Sequence, residues 1–204
     1  MSWVYHQVSS YAAGAPLGDW ITAGVLLSAT GMVVVALLLS WAGPFRENAV
    51  AHLGALLFGG SAAGLVVLAW FEETAPNLAA LKGAGFLAIR QQSFHDAGLL
   101  VFFLCALGAL SLVGGLLVVK GPGRVVRLMG AATALCGPLA IASLRLPWPE
   151  YMGIASPAMG LRQRVAFVAL AIGAAFVVVT VSKRSPRAFE NEDQPTRPNP
   201  RISV

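Results

Sequence analysis

Charge is scarce in this 204-residue chain: Asp, Glu, Lys and Arg together make up 11% of it. Soluble domains carry roughly a quarter charged residues, so a water-soluble globule is excluded. There is also no Gly-rich phosphate loop, no GxSxG and no HExxH, which removes the commonest nucleotide, esterase and metalloprotease signatures. What is abundant is apolar surface, with 57% hydrophobic residues and a mean hydropathy of +0.73. That composition excludes disorder and nucleic-acid binding despite a net charge of +5. A basic excess on so apolar a chain points to orientation in a membrane.

The few charges leave five uncharged windows, at 20–45, 48–71, 97–119, 128–144 and 165–182. About 20 apolar residues carry a helix across the hydrocarbon layer. The two shorter windows are extended by Arg127 and Arg164, whose stems can snorkel. No ten-residue alternating strand pattern appears, so helices are the expected state. The expectation is an all-α bundle of five transmembrane helices near 20–42, 49–71, 97–119, 125–144 and 162–182. Three parts follow: an outer N-terminal segment (1–19), a five-span domain (20–182) and a disordered, Pro- and charge-rich tail (183–204).

Counting Lys and Arg sets the orientation. Arg46, Lys120, Arg124, Arg127, Lys183, Arg184, Arg187, Arg197 and Arg201 fall on one side. Lys82, Arg90, Arg145, Arg162 and Arg164 fall on the other, balanced by Asp19, Glu72, Glu73, Asp96 and Glu150. The positive-inside rule then places the N-terminus outside and the tail in the cytoplasm. Inner connections are short, GPFRE and KGPGR, and stop helices sharply. In the longer outer segments, Thr74 to Gly83 is expected to form a short surface helix, and Ser156-Pro157 to cap the last span. Trp20, Trp70, Trp148 and Tyr151 suit an interfacial aromatic belt.

Small residues are expected to set helix packing: Gly60–Gly64, with looser pairs Gly24–Ser28, Gly130–Ala134 and Ala169–Gly173. The same faces suit a homo-oligomer or a partner membrane subunit. Pro138 is expected to kink the fourth span. Cys105 and Cys136 read as apolar fillers. No cofactor or metal is expected, because His52 lies at the inner end and His6 and His95 at the outer, on the order of 25–30 Å away.

Polarity gathers at the outer rim. Tyr5, His6, Ser9, Ser10 and Asp19 precede the first span, Glu72 and Glu73 close the second, and Arg90, His95 and Asp96 lead into the third. Arg145, Glu150, Arg162 and Arg164 flank the last outer loop. Asp96 suits a helix first turn by the macrodipole alone. Arg162 and Arg164 lie about 160° apart around a helix, so one can face lipid while the other turns inward.

The stretches HQVSSYAAGAP, WFEETAP, SFHDAGLL and GLRQRV, in that order, resemble the prokaryotic membrane family catalogued as domain of unknown function 998. A remoter similarity runs to Frag-, DRAM- and Sfk-type membrane proteins, some linked to lipid handling. The resemblance implies that Ser9, Glu73, His95 and Arg164 match the family's polar landmarks, with Arg164 the inward arginine. Family members typically have six spans, and the first has no counterpart here. Either a truncated start or a stable five-span form is expected, the missing wall exposing a groove for a partner helix.

Three functions remain in view. The favoured one is a non-enzymatic bundle of unknown biochemical activity, acting as a structural or partner-binding subunit or in association with lipid. A membrane-embedded hydrolase or transferase acting on a lipid through His95, Asp96 and Glu73 is the alternative. A small transporter is weakest, since no ionisable residue lies deep within a span.

Overall fold

The computed structural model describes residues 18–41, 45, 47–71, 86–145 and 159–182. They form five helices and, among the described residues, no strand: α1 (Gly18–Trp41), α2 (Ala49–Trp70), α3 (Phe86–Lys120), α4 (Gly123–Arg145) and α5 (Met159–Ser182). All five are long and apolar enough to cross a bilayer. The protein is therefore a multi-pass membrane protein whose solvent is lipid. The expected surface helix, the Ser156-Pro157 cap and the tail fall outside the described residues.

Local chemistry explains the helix ends. Asn48 caps α2, its side-chain oxygen accepting from the backbone N–H of Val50 at 3.0 Å and Ala51 at 3.3 Å. Phe71 stops the same helix in an extended conformation. Between α3 and α4 only Gly121 and Pro122 intervene. Gly123 takes the positive φ of 79° that a side chain resists, and Arg127 Nε donates to the Gly121 carbonyl at 3.0 Å.

Four helices match the expected spans closely, whereas α3 starts at Phe86 instead of 97. Arg90 and Asp96 end the apolar window, but they do not break a helix. No Gly or Pro lies between Phe86 and Asp96, and Gln92 supports the turn by donating to Asp96 Oδ1 at 2.9 Å. At 1.5 Å per residue, this 35-residue helix is roughly 50 Å long, so it outreaches the hydrocarbon layer. Asp96 consequently sits in the third turn, and the macrodipole reading of it does not hold.

Consecutive helices pack side by side from α1 to α5, and α5 touches α1 and α3 more lightly. The core seam runs through Phe58, Phe102, Leu110, Leu117 and Leu170, while Leu27, Leu56, Leu100 and Val125 point outward. Close approaches occur where backbone meets backbone: Gly64 against Gly98 and Phe102, and Gly114 against Gly130 and Ala134. Gly60 and Gly173 also face neighbouring helices, whereas Gly24 faces open space. Of the four expected small-residue motifs, three thus pack internally and the α1 motif does not. Trp20 and Trp70 are 77% and 81% exposed and mark one end of the bundle. Cys105 and Cys136 are free thiols within the packing, and Pro138 lies inside α4 facing outward.

Candidate functional site

Buried polarity collects at the end of the bundle marked by Trp20 and Trp70. His95, on α3, is 3% exposed. Its Nδ1 lies 2.7 Å from the carbonyl oxygen of Phe71. A carbonyl only accepts, so Nδ1 carries the proton and the ring is held in one orientation. Gln92, one turn earlier, is 8% exposed and donates to Asp96. Arg90 lies over the Phe94 ring at 5.7 Å from its centroid. Phe94 in turn stacks on Phe71 with centroids 4.8 Å apart, fastening the extension of α3 to the end of α2.

The α4 and α5 side of this end is built around Gln163, 6% exposed. The buried stripe of α5 runs through Gln163, Ala166, Leu170, Gly173 and Val177, the 3–4 spacing of a helix face. Arg162 and Arg164 flank it by about 100° on either side, and both are half-buried. Neither arginine is singled out as the inward one, because the buried direction bisects them. The Ser143 hydroxyl donates to Ala140 O at 2.7 Å and approaches Arg162 O at 3.4 Å, tying α4 to α5. Arg145 is exposed at the end of α4.

Several expected site residues can now be placed. His95 and Asp96 are adjacent in sequence yet separate in role: one is buried on Phe71, the other is exposed and bonded to Gln92. His52 sits in the first turn of α2, about 28 Å along that helix from Phe71. Ser9, Glu73, Glu72, Glu150, Tyr5, His6 and Ser10 lie outside the described residues. Among the described residues, no group of three or more His, Cys, Asp or Glu side chains is placed to hold a metal ion.

The sequence reading passed over Ser143 because an uncharged polar residue does not interrupt a hydropathy window, and over Gln92 and Gln163 because they lie just outside the apolar windows. Helical periodicity carries the signal. Extending the buried stripe of α3 back from Phe102 by steps of three and four passes through Gly98, His95 and Gln92, and the same extension on α5 ends at Gln163.

The described helices thus bring amide donors and four arginines (Arg90, Arg145, Arg162 and Arg164) to this end against two acidic residues, Asp19 and Asp96. That chemistry suits an anionic oxygen group. Comparison with known proteins gives one match: residues 1–182 fit the family described as Protein of unknown function (DUF998). No curated protein and no solved structure matches the chain.

Proposed function

From a chain that belongs to the family Protein of unknown function (DUF998), we propose a non-catalytic, lipid-associated bundle of the cytoplasmic membrane. Its His95 end faces outward and holds a lipid headgroup. The observation that supports this most strongly is the burial of Gln92, His95 and Gln163 at one end of the bundle, with Arg162 and Arg164 beside them. The exposed Trp20 and Trp70 place these groups at the level where the phosphates of the bilayer lie.

Catalysis is less well supported. The Ser143 hydroxyl, a nucleophile candidate at this end, is committed to backbone carbonyls. The outward orientation is carried by the Lys and Arg count. A reporter fused after Val204 should be active only in the cytoplasm, and activity outside would invert the assignment.

Native mass spectrometry of the gently solubilised protein tests the lipid reading. Wild-type protein should retain a phospholipid mass, and Gln163→Leu combined with Arg164→Gln should lose most of it. Protein that arrives bare, or a variant that retains the adduct fully, would contradict the proposal.

A further inference from the structure

Between α1 and α5 the described residues leave a gap in the wall of the bundle. The two helices touch only lightly, and a groove of about 340 Å³ lies between them. This falls within the roughly 300–1,000 Å³ of small-molecule sites. Gly24, Ser28 and Met32 form one wall, Phe167 and Leu170 the other, and Phe102 the floor. Phe102 and Phe167 stack with centroids 5.2 Å apart, so the floor and one wall are fixed against each other. The Ser28 hydroxyl is turned back to Gly24 O at 2.8 Å, which leaves the groove apolar. An added Cβ on Gly24 would meet nothing within 4 Å, so the missing side chain contributes directly to the width.

The groove occupies the half of the bundle nearest His95. On α5, Phe167 lies four residues beyond Gln163, about 6 Å along the axis, and Leu170 about 10 Å. On α3, Phe102 lies about 10 Å beyond His95. One helix therefore carries a cationic, hydrogen-bonding end directly above a hydrocarbon slot. The vertical order is that of a phospholipid: phosphate at the interface, acyl chain below it.

We propose that the α1–α5 groove seats one acyl chain of a single membrane phospholipid, whose phosphate lies at the Arg162–Gln163–Arg164 end of α5. This rests on the lipid-associated reading and adds the place of the chain to that of the headgroup. The charge of the two arginines selects a phosphate-bearing lipid over an uncharged amphiphile, and the depth of the slot selects a lipid over free phosphate. A detergent tail or a second copy of this chain would fill the slot without needing the arginines.

The test uses the full-length protein purified in mild detergent. Native mass spectra are compared for wild type, Gly24→Leu and Gly115→Leu, with melting temperatures measured alongside. Gly115 also faces open space but does not line the groove. Gly24→Leu should reduce the retained phospholipid at least tenfold while the melting temperature of the delipidated protein stays that of delipidated wild type, and Gly115→Leu should retain the lipid as wild type does. Ala171→Phe, which fills the slot from α5, should reproduce the loss should Gly24→Leu fail to fold. Equal retention in the groove variants overturns the groove assignment and leaves the headgroup reading standing. A wild-type protein without phospholipid overturns both. A change from dimer to monomer in the groove variants, with lipid retained, identifies the slot as a chain–chain interface and also overturns the proposal.

Discussion

Gly64→Leu should cost this protein more stability than leucine at any other glycine of α2. A Cβ at Gly64 would stand 2.6 Å from Phe102 N and 2.7 Å from Gly98 O. Those are backbone atoms, and no rotamer change moves them. The approach is reciprocal, since a Cβ at Gly98 would lie 3.0 Å from Gly64 O. Helices in lipid gain nothing from hydrophobic exclusion between them, so their association depends on such close packing. Ordinary overpacking costs about 1–3 kcal/mol, and a displaced backbone belongs at or above the top of that range. For a chain of this size, roughly 3 kcal/mol lowers the melting temperature by about 6–12 °C.

Two neighbouring glycines provide the scale. A Cβ at Gly60 meets the Cys105 Sγ at 2.9 Å, which can turn away, and one at Gly59 meets nothing. Leucine substitutions should therefore rank Gly64, Gly60, Gly59 in falling cost. Indistinguishable melting temperatures across the three would mean that α2 and α3 do not meet along this line.

The second large effect is expected at His95. Alanine there removes the donor to the Phe71 carbonyl, leaves that oxygen short of a partner and empties a buried ring site. Losing a buried hydrogen bond in this way costs about 1–3 kcal/mol, and the cavity adds to it. Three substitutions separate the contributions. His95→Phe keeps ring volume without the donor, and His95→Asn keeps a side-chain N–H with less volume. Each should recover part of the melting temperature lost in His95→Ala. Should Phe recover everything and Asn nothing, His95 would be only a packing residue.

Much of this architecture is legible in the sequence because the bilayer imposes one requirement, a long uncharged run, on every span. Asn48, Phe71 and the Gly-Pro-Gly turn fall where the composition changes. The start of α3 was not legible in that way. Arg90 and Asp96 mark where lipid ends, and a helix needs a backbone reason to stop, which neither supplies. The site was partly legible: His95 stands out as a histidine at the edge of a span, whereas Gln92 and Gln163 appear only when the buried stripe is followed past the apolar window. At the end of α5 Gln163 holds the inward position, with Arg162 and Arg164 half-buried on either side of it.

The central claim is that the polar end of α3, α4 and α5 receives a phospholipid headgroup. Delipidated protein, melted while a defined phospholipid is titrated back in detergent, tests it most directly, since a ligand that binds only the folded state raises its stability with concentration. A saturable rise in melting temperature is predicted for wild type, with a much smaller one when Arg162 and Arg164 are both changed to glutamine. No rise in wild type, or the same rise in the double variant, would contradict the claim.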